Sequence, residues 1–402
     1  MDDVIVVGGG PTGFIAGLGL AQAGVRVTVI ETEPQVVDSP RAVVYHWSVL
    51  DGLQRLGIRE EAEQIGFRKQ DYNYLVHKTR ERIDYSLQVL EGHVEYPYNL
   101  HLGQHRLAEI AMRRLRGLPN TNIRFGTRLK KLAQDADGVT LSVESRGGTE
   151  ELRAKWVIGA DGAASTVRHE LGLPFEGMTW PERFVATNVF FDFERYRYSR
   201  STLLIDDRYG AIIAKIDASG LWRCTYMEDA ALPEETFRER IPEVYGAILP
   251  NAFDYKVDRA SPYRMHQRSA PRYRVGRVVL AGDAAHATNP TGGLGLTSGL
   301  FDAYALYPSL AAVVLEDADE AILDRYSEQR RDIFLNRASP QAVANKHLIY
   351  HANGGAQQLE EALQLIVRRM GKDRDFLRER LMFTKSLETA PPLEARASRR
   401  RA

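Results

Sequence analysis

Apolar and polar positions divide the chain into stretches of different rhythm. Val4 to Val7 is an unbroken β-branched run, which predicts a strand buried on both faces. Gly8-Gly9-Gly10-Pro11-Thr12-Gly13 follows it. A helix of small residues is predicted from Pro11 to Ala23, ended by Gly24, and a second strand from Arg26 to Ile30 with Glu31 at its end. This order is a complete βαβ opening. Leu50, Leu53 and Leu56 share one face of a helix predicted over Trp47 to Leu56. Leu107, Ile110, Ala111 and Leu115 turn inward from another, over Gln104 to Leu115. Val139 to Val143 alternates like a half-buried strand, and Trp156 to Ile158 is a second buried one that runs into Gly159-Ala160-Asp161-Gly162.

From about Phe175 to Met265 the rhythm changes. Aromatic and β-branched runs, such as Phe184 to Phe193, Leu203 to Ile205, Ala211 to Ile216 and Leu221 to Met227, are separated by turns such as Asp217-Ala218-Ser219-Gly220. This predicts mostly antiparallel sheet. Arg277 to Ala281 returns to a buried strand, followed by Gly282-Asp283 and a long apolar helix to about Leu315. Helices are predicted over Ala321 to Ala344 and Gln357 to Phe383. The fold class is therefore α/β with an α+β insert. Residues 1–174 and 266–320 form a discontinuous Rossmann-like domain, 175–265 a β-rich substrate domain and 321–390 a helical region. Residues 391–402, ending in Arg399-Arg400-Arg401, read as a disordered tail.

Composition narrows the function classes. The 402 residues carry 53 Lys+Arg and 53 Asp+Glu, so no global field draws the chain to nucleic acid or an anionic membrane. The single cysteine, Cys224, excludes an intrachain disulfide, a CxxC redox pair and a multi-cysteine metal site, and no metal is expected. No uninterrupted apolar run reaches the roughly 18 residues of a membrane span. The first residues carry two acids and enter a strand at once, unlike a secretory signal, which makes a reducing cytoplasm the expected location.

Three constellations carry chemistry. In the first, Gly8 permits a tight turn, Gly10 lets a pyrophosphate approach the backbone, and Gly13 allows close helix–strand contact. The helix start at Pro11 and Thr12 offers amides to phosphate. Glu31 is placed to accept from ribose hydroxyls and to repel a 2′-phosphate, favouring FAD or NAD over NADP in this site. The second is Trp156-Val-Ile-Gly-Ala-Asp161-Gly162-Ala-Ala-Ser165-Thr-Val-Arg168. The third runs from Arg277 through Gly282-Asp283-Ala-Ala-His286 to Pro290-Thr-Gly292-Gly293-Leu-Gly295. Each is a buried strand entering a turn, an acid and a helix. Taken alone, Asp161 could simply cap a helix, and His286 reads as a structural hydrogen-bonding residue.

Together the three motifs, in this order and spacing, resemble the class A single-component flavoprotein aromatic monooxygenases, the family of p-hydroxybenzoate hydroxylase, over about residues 1–340. The resemblance implies that Gly8, Gly10, Gly13 and Glu31 hold the ADP half of a non-covalent FAD. It implies that Arg41 lies near the flavin and pyrophosphate and that Gln104 touches the ribityl chain. Asp161 would serve both FAD and a visiting NADH or NADPH, and Gly282-Asp283 would hold the ribityl chain. Pro290, Gly293, Gly295 and Leu296 would face the isoalloxazine ring, with Pro290 and Gly293 beside the reacting atoms. Two departures stand out: Asn289-Pro290 replaces the common Pro-Pro, and Thr297 stands where Asn is usual. The implied reaction uses NAD(P)H and O2 to hydroxylate a phenolic or similarly electron-rich aromatic ring through a flavin C4a-hydroperoxide.

The reactive flavin must be kept dry. Phe190, Phe191, Ile205, Ile213, Trp222 and Tyr226 are the aromatic and apolar residues from which a cavity wall could be drawn. A group that activates or holds the substrate is also expected. Arg223 and Tyr226 are placed in that catalytic role, with Lys215, His266 and His46 as further candidates. The C-terminal helices could form a homodimer face or cover the core. Two alternatives remain open from the residues: a flavoprotein reductase or oxidase of the same fold, and a non-catalytic protein binding flavin or an aromatic ligand. A flavin-dependent halogenase is disfavoured, because no Trp-x-Trp-x-Ile-Pro segment exists.

Overall fold

The computed structural model describes residues 2–38, 42–216, 219–249, 254–350 and 355–389. Arg41 and the expected disordered tail from 391 lie outside the described residues.

The opening strand Asp2–Val7 lies between two parallel neighbours, Gly148–Gly159 and Val27–Ile30. Val278–Leu280 and Thr121–Arg124 extend the parallel sheet at its two sides. Every residue from Val4 to Val7 is buried, as a strand covered on both faces requires. The helices Pro11–Gln22, Gln104–Arg116 and Leu294–Leu315 supply most of that cover. Gly148–Gly159 serves two structures. Its first half pairs antiparallel with Val139–Ser145, and its second half runs parallel beside Asp2–Val7 and delivers Asp161 to the same sheet edge as Gly8.

Leu294–Leu315 is 22 residues long and apolar enough to cross a membrane by length and composition. Here it is a core helix: 78% of its apolar window is buried inside the fold, against the first sheet. Its apolar character comes from being enclosed on all sides.

The second sheet has eight strands. In order they are His286–Ala287, Lys256–Ser269, Glu176–Phe190, Leu221–Asp229, Ala211–Lys215, Ser201–Ile205, Asp71–Val76 and Arg82–Ser86. All pairs are antiparallel except Ser201–Ile205 with Asp71–Val76. That exception marks a hairpin contributed by residues 71–86. Sequence contiguity groups those residues with the dinucleotide-binding stretch, and the structure places them in the second sheet. The β-rich stretch also contains a helix, Phe237–Ile248, whose Phe237, Ile241, Tyr245 and Ile248 cover one sheet face. The predicted C-terminal helices are present but interrupted. Phe334–Ala338 and Leu363–Arg368 are wider π turns.

Candidate active site

Between the two sheets and the C-terminal helices lies one continuous cavity of about 1230 Å³. Its first end is the glycine-rich turn. Gly8 has φ +111°, and a Cβ there would stand 2.3 Å from the Ala160 carbonyl oxygen. A Cβ on Gly13 would stand 2.0 Å from the Gly8 carbonyl oxygen, so helix and turn touch backbone to backbone. Above Gly10, by contrast, a Cβ would meet nothing within 4 Å. The helix that follows has no side-chain cap and no acid in its first turn. Its leading amides, with the positive end of the helix dipole, are left to a ligand anion. Gly8, Gly10, Pro11 and Thr12 line the cavity, and Gly13 lies packed beneath it.

Glu31 closes this end. The Gly9 amide donates to its Oε2 (2.6 Å) and the Glu33 amide to its Oε1 (2.8 Å). The carboxylate is thereby fixed at the cavity wall with lone pairs left for hydroxyl donors. Asp161 also lines the cavity, but both its oxygens are engaged: Ser165 Oγ donates to one (2.5 Å) and the Val167 amide to the other (3.1 Å). Ser165 caps the short helix Thr166–Glu170, Asp161 takes a second amide of its first turn, and burial raises the Asp161 carboxyl above the usual range.

Gln104, Asp283, Pro290, Gly293, Gly295 and Leu296 all face the same cavity. Asp283 is solvent-exposed in a single turn of 3-10 helix. Gly282 itself does not line the space; its amide donates to buried Asp302 (2.9 Å). Asp302 also binds His286 (2.7 Å) and Arg330 (2.7 Å), and the His286 ring stacks on Phe334. His286 is thus part of a buried support that anchors the Gly282 turn, as a structural role requires. Gly292 and Gly293 have φ of +89° and +69°, the left-handed region that glycine tolerates. The Gly292 carbonyl accepts from His46 Nε2 (2.7 Å). Burial pushes the His46 imidazole down towards its neutral form, so the lone pair of the ring falls on Nδ1.

The candidates for substrate handling separate by strand pleat. On Leu221–Asp229, Arg223 and Thr225 face the cavity. Trp222, Cys224 and Tyr226 face the Phe237–Ile248 helix on the other side. Tyr226 therefore does not reach the site, and its buried hydroxyl has no hydrogen-bond partner among the described residues. The catalytic assignment to Tyr226 is corrected on this ground: a two-residue period cannot put Arg223 and Tyr226 on one face. Arg223 donates twice to Asn188 Oδ1 (3.0 and 2.9 Å), and burial lowers its guanidinium to about 10. Lys215 pairs with Glu194 and does not line the cavity. His266 does, with Nδ1 2.9 Å from Thr179 Oγ1. Of the residues expected to wall the cavity, Phe191, Ile213 and Trp222 lie in the second core instead.

The other end of the cavity has walls that the sequence reading missed. Trp47, Tyr72, Tyr74 and Tyr85 line it from one side. Met370, Phe376, Arg380 and Phe383 of the C-terminal region line it from the other. The period-two pattern Tyr72-Asn73-Tyr74 was the available signal for a strand. Nothing local signals that the last helices close the same space.

These features define a flavin-binding oxidoreductase with an attached aromatic-walled chamber. The space open above Gly10, the uncapped helix start and the cavity-facing Glu31 fit the ADP half of FAD. Comparison with known proteins carries this to the family. Residues 1–337 match the family model described as FAD binding domain. The chain is 46% identical over 389 residues to 6-hydroxy-3-succinoylpyridine 3-monooxygenase HspB of Pseudomonas putida strain S16, covering 96% of this chain and 98% of that protein. It is 43% identical to para-nitrophenol 4-monooxygenase of Pseudomonas sp. strain WBC-3, covering 95% of each. The crystal structure of p-nitrophenol 4-monooxygenase PnpA from Pseudomonas putida DLL-E4 superposes with a TM-score of 0.92 at 41% identity, covering 96% of this chain and 98% of that one. The chain belongs to the FAD-binding family of single-component flavoprotein aromatic monooxygenases. It is an FAD-dependent aromatic hydroxylase.

Proposed function

We propose that the substrate is a single aromatic ring bearing a hydroxyl group and, para to it, a polar acyl or nitro substituent, and that oxygen enters at the para carbon, the bond to that substituent breaking as the C–O bond forms so that nitrite or the acyl fragment is released. One observation carries this reading: the dinucleotide turn and a chamber walled by Trp47, Tyr72, Tyr74, Tyr85 and Phe376 belong to one continuous cavity. The names of the two relatives support the position of attack. Para-nitrophenol 4-monooxygenase and 6-hydroxy-3-succinoylpyridine 3-monooxygenase each specify a ring carbon para to the hydroxyl.

FAD supplies the activation of O2 once NAD(P)H has reduced it. The protein's own residues do the remaining work. The Gly8 to Thr12 turn and Glu31 hold the nucleotide. The start of Leu294–Leu315, which has no side-chain cap, would offer its leading amides to an anionic part of the bound cofactor. The aromatic walls exclude water from the ring. His46 Nδ1 stands in the wall as an acceptor for a ring hydroxyl. Donating that proton enriches the para position in electrons, which an electrophilic oxygen requires. Arg223, held by Asn188, orients a polar group at the cavity wall. A reducing cytoplasm, with its supply of NAD(P)H, is the compartment that suits this reaction.

The test is a panel of para-substituted phenols and hydroxypyridines offered to the yellow holoprotein. NAD(P)H consumption should accelerate with a subset, and product should carry one atom of labelled O2 at the para carbon. Ligand-independent NAD(P)H consumption across the panel, or label at the ortho carbon, would sink the reading.

A further inference from the structure

Asp71–Val76 places Tyr72 and Tyr74 on one sheet face. Its partner Arg82–Ser86 sets Tyr85 opposite Tyr72. The Tyr85 ring centre is 5.6 Å from each of the other two. The three phenols are not equivalent. Tyr72 is satisfied: Asn99 Nδ2 donates to its oxygen (2.9 Å), and its hydroxyl meets His101 Nε2 (3.1 Å). The hydroxyls of Tyr74 and Tyr85 have no hydrogen-bond partner among the described residues. Neither is a sealed orphan, because both side chains open on the cavity.

Facing them is Arg380. Its helix, Arg374–Met382, is capped by Asp373, whose carboxylate accepts from the Phe376 amide (3.0 Å). Leu377 pins the helix to the core formed with Tyr72, Tyr74, Val76 and Ile83. Phe376 and Arg380, one turn apart, line the cavity. The guanidinium carbon sits 5.9 Å from the Phe376 ring centre. Arg380 makes no ion pair among the described residues, including with its exposed neighbour Glu379 at the cavity rim. Burial raises the Tyr74 and Tyr85 phenols, and the nearby Arg380 charge works against that rise in both. Arg380, Tyr74 and Tyr85 thus line the cavity where the Arg374–Met382 helix packs against the Asp71–Val76 strand. The elements that build this end are not those that build the dinucleotide turn.

We propose that Arg380, Tyr74 and Tyr85 form a subsite for a carboxylate carried on the side chain of the aromatic substrate. This rests on the aromatic-hydroxylase reading and names the rings it prefers. A guanidinium and two phenol hydroxyls can all donate to the two oxygens of a carboxylate. A neutral alkyl substituent would leave all three without partners in a space closed by aromatic rings. That is the usual physical source of strong discrimination between polar and apolar analogues.

The test is equilibrium binding to the FAD-loaded protein, read from flavin fluorescence and needing no turnover. The probes are 3-(4-hydroxyphenyl)propionate and 4-ethylphenol, which share a ring and differ in the carboxylate. The parent should bind the acid at least about tenfold more tightly than 4-ethylphenol. Arg380→Gln should bring that ratio to about one, and the double variant Tyr74→Phe/Tyr85→Phe should cut it about threefold or more. Bound FAD per chain, from visible absorbance, reports that each variant is folded. A parent ratio near one, or an Arg380→Gln variant that keeps the parent ratio, overturns the subsite. If the two probes bind with the expected preference but no member of the para-substituted phenol and hydroxypyridine panel stimulates NAD(P)H oxidation, the subsite stands and the para-attack reading fails.

Discussion

Arg223 and Tyr226 lie three residues apart on one strand and on opposite faces of its sheet. Arg223 looks into the cavity and Tyr226 into the core beneath the Phe237–Ile248 helix. Substitutions at the two positions should therefore separate activity from stability. Tyr226→Phe removes a buried hydroxyl that has no hydrogen-bond partner among the described residues. It should leave turnover within about twofold of the parent and stability equal or higher, by up to about 1 kcal/mol. Arg223→Gln loses a charge at the cavity wall. Phenol-stimulated NAD(P)H oxidation should fall at least about tenfold while the melting temperature changes little. A Tyr226→Phe variant with the larger loss of turnover would reverse the assignment.

Gly10 and Gly13 should also fail in different ways. Gly10 has φ −81° and open space where a Cβ would go, so Gly10→Ala should fold normally. Its methyl group occupies the approach to the pyrophosphate. The apoprotein should melt near the parent temperature while FAD affinity drops at least about tenfold. Gly13→Ala drives a Cβ to 2.0 Å from the Gly8 carbonyl oxygen, a clash of backbone with backbone. That variant should express poorly or melt well below the parent even without FAD. Differential scanning fluorimetry of the two apoproteins, with FAD titration of any that fold, decides the matter.

The contrast between those glycines explains what could be read in advance. The strand–turn–helix order places Gly8, Gly10, Gly13 and Glu31 by local geometry alone, because each acts within one βαβ unit. Asp161 and Asp283 were found for the same reason: each ends a buried strand whose apolar run is visible in the chain. Arg380 and Tyr85 were not found. They come from segments nearly three hundred positions apart, and only tertiary packing brings them to one cavity. Tyr226 was misplaced at shorter range. Its strand was recognised, and the alternation of Trp222, Cys224 and Tyr226 with Arg223 and Thr225 already separates two faces; which face meets the cavity is decided by the Phe237–Ile248 helix, which covers the other.

Glu31 makes a prediction about the nucleotide. It accepts from two backbone amides and still faces the cavity. Glu31→Gln keeps the shape but offers one acceptor oxygen where two stood. FAD affinity should weaken by roughly 1.5–3 kcal/mol, the value of a charge-assisted hydrogen bond. Fluorescence quenching of FAD on titration with apoprotein measures it directly, and equal affinity would remove Glu31 from the ribose site.

The Gly282 turn depends on a buried charge. Asp302 accepts from the Gly282 amide, from His286 and from Arg330, and Arg330 in turn donates to the Leu387 carbonyl (2.6 Å). Burial alone would raise the Asp302 carboxyl; His286 and Arg330 outweigh it and hold the group at about 2. A carboxyl depressed in the folded state contributes stability at every pH above its unfolded value of about 3.9. That contribution is lost as pH falls from there through the folded value. Unfolding free energy should therefore decline between about pH 4 and pH 2, and this part of the decline should be missing in Asp302→Asn. The substitution also leaves Arg330, 1% exposed at its side chain, without its counter-charge. It should cost roughly 3–5 kcal/mol at neutral pH. Because the same carboxylate holds the Gly282 amide, the loss should extend to the flavin site: a folded Asp302→Asn protein should retain less FAD per chain than the parent. Urea titrations of both proteins across this pH range, with flavin content measured alongside, test both consequences. An Asp302→Asn protein whose acid limb matches that of the parent would show that the cluster is not the acid-sensitive support of this turn.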